Sequence, residues 1–376
     1  MSGSPIKILI AGGGVGALEA VLALRKLAEE RVDLTLVCPD DEFRYRPASV
    51  AVPFDRGEVY RFPIGDIAAE VGADWRRDVI ATVDTAAHRA TLGSGEELGY
   101  DAAVFAVGAR RLPVLKGAIP FRGEEDVPAM QQLVADLRNG RFSSVVFALP
   151  RGASWSLPLY ELALMTAGTV AADRPHGLEL ALVTPEERPL AQFGGQVSIA
   201  VARLLDDSGI VLHTGTYPVG VYGSSLMLMP PQTIAADRVV CMPAARGIPI
   251  PGLPNDQDGF LPTDLYGRVA GAAEVYAVGD ITNHPIKQGG VAAQQADVVA
   301  QLLARQAGAP LPDPAPHRPA LRGLLLTAGR PRYLVAEPAG GRGETAEVSD
   351  EPLWWPGGKI AARHLGGYLI RAGHHG

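Results

Sequence analysis

A chain of 376 residues has room for two or three domains, and 47% apolar against 20% charged residues excludes an intrinsically disordered chain. A net charge of −7 gives no basic surface for nucleic acid. Two distant cysteines, Cys38 and Cys241, exclude a CxxC redox pair and a thiolate-rich zinc site.

The N-terminus has a short apolar run flowing into glycines, without the longer h-region and cleavage site of a signal peptide. No apolar stretch approaches the roughly 20 residues that span a bilayer. The expected location is cytoplasmic, with peripheral membrane contact left open.

Residues 6–11 (IKILIA) predict a buried parallel strand. GGGVGALEAVLALRKLAEE predicts a glycine turn entering an amphipathic helix, and VDLTLVC a second strand. This order is the context in which a glycine motif binds a dinucleotide. Gly12 permits the tight turn, and Gly14 lets backbone approach a pyrophosphate. Ala17 stands where helix packs closely on strand. Amides at the helix start, around Gly16, then face the phosphates. An acidic residue ordinarily ends the second strand and bonds the ribose, but Cys38 stands there. Asp40 or Asp41 could reach instead, and Asp40 is the choice. Cys38 itself reads as a small half-buried residue.

Further on, YDAAVFAVGARRLP (100–113) predicts an apolar strand ending in the Gly108-Ala109 turn. AAEVYAVGDITNHPIKQGGVAAQQADVVAQLLA (272–304) predicts a strand, the pair Gly279-Asp280, a proline loop and a long helix. His284 reads as a loop residue. Together with the opening unit, these segments resemble the two-dinucleotide-binding-domain flavoproteins. Within these they are most similar to sulfide:quinone oxidoreductases and type II NADH dehydrogenases.

The resemblance implies an α/β fold of two Rossmann-like three-layer domains and FAD as cofactor. The FAD domain would be discontinuous, residues 1–110 and 245–308. A NAD(P)-like domain would occupy 111–244, and 309–376 would form a C-terminal cap over the flavin. Asp280 would bond a ribityl hydroxyl and Gly279 approach the pyrophosphate. Lys287 and Gln288 would lie at the flavin pyrimidine and open the helix, stabilising negative charge there. Arg46, Pro47, Val79, Ala106 and Gly108 complete the implied cofactor contacts.

The second unit, RFSSVVFALPRGASWSLPLYELALMTAG (141–168), predicts a strand and a helix but lacks the glycine loop. Pro150 stands where a glycine should start the turn, Gly152 alone remains, and Trp155 and Pro158 add bulk. Proline also removes donors that a pyrophosphate needs. The following strand ends in Thr184-Pro185, with neither an acid for a 2′-hydroxyl nor an arginine for a 2′-phosphate. Weak or no NAD(P)H binding is expected, unless a longer, irregular loop serves.

Neither cysteine matches a flavin-facing position, so sulfide chemistry through a thiol is not expected. QGGVAAQQA (288–296) keeps Gln294 and Gln295 of the type II dehydrogenase AQxAxQ pattern. That pair suggests either a quinone pocket or an ordinary polar helix surface.

Residues 309–320 predict an extended proline-rich connector. LRGLLLTAGRPRYLVAE predicts a β-hairpin and 338–351 a polar loop. The final stretch, with Trp354, Trp355, Lys359, Arg363 and Arg371, would pack over the core or flavin. A membrane interface or a homodimer partner would also suit it. His374 and His375 read as a frayed terminus.

The first expectation is an FAD-dependent oxidoreductase taking electrons from a small donor and passing them to a quinone-like acceptor without a redox disulfide. Its rivals are an NAD(P)H-dependent reductase and a catalytically idle FAD-binding scaffold. No catalytic residue and no metal ligand is named.

Overall fold

The computed structural model describes residues 4–173, 177–338 and 344–373; His374 and His375 lie outside them. In chain order the main elements begin with β1 (Ile6–Ala11), α1 (Val15–Ala28), β2 (Val32–Val37), β3 (Asp74–Arg76) and β4 (Ala102–Phe105). Next come β5 (Ile119–Pro120), α2 (Val127–Arg138), β6 (Ser144–Ala148), α3 (Leu157–Asp173), β7 (Glu179–Val183), α4 (Gly195–Asp207), β8 (Ile210–His213) and β9 (Arg238–Cys241). The chain ends with β10 (Val275–Ala277), α5 (Gly289–Gln306), β11 (Leu321–Leu325), β12 (Arg332–Pro338), β13 (Glu344–Ser349) and α6 (Leu365–Arg371).

The first sheet has the order β10-β4-β1-β2-β3 with every pair parallel. Ile8, Leu9 and Ile10 are all buried, because helices cover one face of β1 and a three-stranded antiparallel sheet of residues 80–99 with the 250–281 segment covers the other. The order reverses between β1 and β4, and a ligand crevice opens at such a switch point, outside the carboxyl ends of the strands. The second sheet repeats the plan as β5-β9-β6-β7-β8, again parallel throughout. An antiparallel ribbon, residues 110–112 with 244–246, joins the two units.

α1 packs along α5, and small residues make that approach possible: Ala17, Ala20, Ala293 and Ala296 are fully buried. The tail departs from its sequence reading in one element. Residues 344–349 form a third strand, β13, antiparallel to β12, where a loop is predicted. Thr345, Glu347 and their polar neighbours disguise a strand whose register comes from the β12 edge.

The last stretch packs inward. Ile360, Ala362, Leu365 and Leu369 are buried. Each large apolar side chain contributes roughly 1.5–3 kcal/mol on burial. The exposed Arg371–Glu70 ion pair contributes about 1 kcal/mol at most. Apolar packing therefore attaches the tail. Trp354 donates to the Gly358 carbonyl at 3.0 Å, whereas Trp355 is 86% exposed. No helix among the described residues is long and apolar enough to cross a membrane.

Candidate functional site

The glycine turn after β1 is shaped by what lies beneath it. Gly12 has φ +128°, and a Cβ there would stand 2.3 Å from the Ala106 carbonyl oxygen at the end of β4. Gly13 packs on Cys38: a Cβ there would lie 2.3 Å from its Sγ. In front of Gly14 the space is open, with no atom within 4 Å of a built Cβ. Gly14 begins α1 without a side-chain cap and with no acid in the first turn. The first-turn amides thus have no capping acceptor, an arrangement suited to an anion.

That turn forms one wall of a cavity of about 310 Å³ between the two sheets and the tail. Of the predicted residues, Gly14, Gly16, Asp40, Arg46, Pro47, Ala106, Gly108, Gly279, Asp280, Lys287 and Gln288 line it. Gly12 and Ala17 lie beneath this surface rather than on it. Val79 is not brought to the cleft, which corrects the expectation for it. Its side chain is exposed, its N–H donates to Asp78, and its carbonyl accepts from Gly93. Between the two acids after β2, Asp41 pairs with Arg77 at 2.7 Å, while Asp40 lines the cleft.

Asp280 sits at the cleft floor, surrounded by protein except towards the cavity. Burial pushes its carboxyl above the usual range; Arg111, Lys287 and Arg46 pull the other way. Lys287 lies 3.7 Å from the centre of the Phe260 ring and donates to the Thr282 carbonyl. Burial brings its ammonium down to about 8, with Asp280 and Asp256 opposing. Gln288 lines the cleft, but its side chain is committed elsewhere. It caps α5 by accepting the Val291 N–H at 2.9 Å and donates to the Arg322 carbonyl at 3.0 Å. The helix consequently begins at Gly289, one residue later than expected.

The glutamine pair is structural. Gln294 donates to the carbonyls of Gly290 and Ala320 and accepts the Ala320 N–H; Gln295 accepts the Gly279 N–H at 2.7 Å. Neither lines the cleft. His284 is also off the cleft, its Nδ1 accepting the Ile286 N–H. Both cysteines are buried, and desolvation pushes the thiols up, Cys38 to about 11 and Cys241 to about 12.

Sequence reading missed the pair Glu161 and Lys359. Both line the cleft. Glu161 is fully buried on α3, and its Oε1 accepts from Lys359 at 2.6 Å and from the Leu326 N–H at 2.9 Å. Its Oε2 is buried without a partner. Burial raises this carboxyl, and Lys359 offsets part of the rise. The one available signal was an acid inside the apolar run LYELAL, since a fully buried acid without a partner is rare.

Glu186, the residue directly after Thr184-Pro185, was also missed. It accepts from Ser156 at 3.0 Å, Tyr160 at 2.7 Å and Thr184 at 2.9 Å, at the start of α3. The facing side brings apolar Phe121, Trp155, Leu157, Pro158, Met242 and Leu324 to the cleft, interleaved with Arg122, Glu161, Arg322 and Lys359.

A family model described as pyridine nucleotide-disulphide oxidoreductase matches residues 160–296. The fold is similar to the sulfide:quinone oxidoreductase of the hyperthermophilic bacterium Aquifex aeolicus, with a TM-score of 0.80 at 18% identity over 98% of this chain and 89% of that one. It is also similar to NDH2 of Plasmodium falciparum, with a TM-score of 0.68 at 12% identity over 91% of each chain. A ferredoxin reductase from Rhodopseudomonas palustris gives 0.64 at 19% identity over 89% of this chain and 83% of that one. The chain has the fold of the two-dinucleotide-binding-domain flavoproteins, whose cofactor is FAD.

The residues present fit that cofactor. The chain has a Cβ-free cradle at Gly14 that any side chain would fill. At its other end an acid, Asp280, is ringed by three cations. The matched family segment begins after the loop that precedes α3, so it omits the stretch where the second unit departs from a dinucleotide site.

Proposed function

We propose that the flavoprotein delivers electrons to a quinone-like acceptor, taking them from a small donor that is neither a nicotinamide nor a sulfide held on cysteine. Bound FAD would supply the two-electron chemistry. Gly14 and the first amides of α1 would hold its diphosphate, Asp280 its sugar-alcohol chain, and Lys287 would place positive charge at the ring.

The observation that carries the reading is the Glu186 carboxylate at the start of α3. A dinucleotide diphosphate would need bare donors there. Instead the hydroxyls of Ser156, Tyr160 and Thr184 already serve an internal anion. Pro150 removes an amide, and Trp155 stands in the turn, packed near Phe193. Glu186 stands three residues past β7 as Asp40 does past β2, so its charge alone does not bar a dinucleotide. The engaged hydroxyls and the missing glycine turn nevertheless weaken a nicotinamide diphosphate site.

The apolar side chains on the facing side favour a flat acceptor, and the charged groups among them its polar oxygens. Quinone reduction consumes two electrons and two protons. Glu161 and Lys359, hydrogen-bonded at the cleft, would hold a proton for the acceptor oxygen. The buried thiols of Cys38 and Cys241 leave no route through a persulfide.

The test is anaerobic rapid mixing. The oxidised protein should keep its flavin colour with NADH and NADPH. The photoreduced protein should recover its colour on adding a water-soluble quinone. Rapid bleaching by either nicotinamide, or a reduced flavin indifferent to quinone, would refute the proposal.

A further inference from the structure

Outside the cleft, three metal-ligating side chains converge where α1, α5 and the tail meet. Glu19 lies on α1, Asp297 on α5, and His364 immediately before α6. One ligand atom from each lies within 4.8 Å of the other two.

The frame around them is rigid. Glu19 is fully buried, and its two oxygens accept the N–H groups of His364 at 2.8 Å and Leu365 at 2.6 Å. The carboxylate from α1 thus ties down the backbone that presents the imidazole. His364 Nε2 faces Asp297 Oδ1 at 3.7 Å, beyond hydrogen-bond length. The His364 side chain is only 8% exposed, and its ring makes no hydrogen bond among the described residues. Asp297 Oδ1 is buried and likewise has no partner. Two polar groups that face each other without bonding each carry a desolvation cost of about 1–3 kcal/mol. A single species between them would satisfy both.

We propose that Glu19, Asp297 and His364 form a binding site for a divalent transition metal of the zinc class. One imidazole nitrogen and two carboxylate oxygens are ligands that zinc accepts, with a fourth position for water. Calcium would require about six to eight oxygens, which the site lacks. Bonds of about 2.0–2.2 Å place neighbouring tetrahedral ligand atoms roughly 3.4 Å apart, so the 3.7 Å His364–Asp297 gap closes with a small shift, and the pairs with Glu19, within 4.8 Å, with a larger one.

The Asp297 side chain also hydrogen-bonds to Glu19, so the two carboxylates already share one polar cluster. Lys26 and Arg363 are the nearby cations, and neither forms an ion pair with the cluster among the described residues. The Asp297 side chain keeps 21% exposure, which gives an ion a way in. A metal here would fasten the tail to α1 and α5, and with it Lys359 a few residues upstream. The site stands independently of the acceptor reading above.

Calorimetric titration of the chelator-stripped, flavin-loaded protein with zinc, together with metal analysis after desalting, tests this. The expected result is saturable uptake of one ion per chain, retained in a His374→Ala/His375→Ala control. Asp297→Asn and His364→Gln should lose it while keeping flavin content and far-ultraviolet dichroism. The thermal midpoint of the wild type should also rise with free zinc, by mass action. Absence of saturable uptake by the wild type overturns the site, whatever the variants do. Undiminished uptake in both folded variants overturns it as well.

Discussion

Lys359 donates a 2.6 Å hydrogen bond to Glu161 across 198 residues of sequence, joining the tail to the second domain at the edge of the cleft. Removing one member of a buried pair strands the other. Lys359→Met should therefore lower stability by about 3–5 kcal/mol in urea unfolding. Glu161→Gln keeps an oxygen for the Leu326 N–H and should cost less. Its turnover with a quinone should nevertheless fall about 100-fold, the lower range for loss of a proton donor, with flavin content unchanged. Unaltered turnover would remove Glu161 from the chemistry.

Lys287 predicts a pH dependence. Its folded value, about 8, lies below the ordinary 10.5. The unfolded chain holds the proton more tightly, so this group's contribution to stability is fully present above about 10.5. That contribution is lost as pH falls through about 8. The difference in urea midpoint, wild type minus Lys287→Met, should decline as pH falls across that window and level off below it. A difference independent of pH would show that the ammonium is not desolvated.

Glu186 is the sole acceptor shown for the Tyr160 hydroxyl among the described residues. Glu186→Ala leaves the buried Tyr160 O–H without its acceptor, though Thr184 and Leu190 still donate to the phenol oxygen, and should cost about 1–3 kcal/mol in chemical denaturation. A neutral result would mean that water or Thr184 replaces it.

The cysteines should be inert. With thiols at about 11 and 12 and both side chains buried, an aromatic disulfide reagent should label neither until the protein is unfolded. A Cys38→Ala/Cys241→Ala variant should keep its turnover. Fast labelling of either residue in the native protein would reopen a sulfur route.

What was legible in the sequence was local. Gly12, Gly14, Gly108 and Gly279-Asp280 follow apolar strands directly, so strand order alone carries them to one end of one sheet. Pro150 and Trp155 announced the altered second loop in the same way. Long-range placement was not legible. Lys359 lies in a stretch that also suits a membrane surface, and its partner Glu161 hides inside a helical apolar run. Gln294 and Gln295 match a family pattern yet hold Ala320 and Gly279, because a helix motif does not say which face meets a neighbour. β13 escaped because its polar residues become a strand through the β12 edge alone.

The most direct measurement is flavin content in a Gly14→Val variant. Gly14 has extended backbone, and a Cβ there meets nothing within 4 Å, so valine should leave the fold intact. Its methyls would occupy the space needed by a diphosphate. Folded wild type is predicted to show the flavin band near 450 nm, and equally folded Gly14→Val to be colourless. Equal flavin in both proteins would contradict the placement of the cofactor at α1.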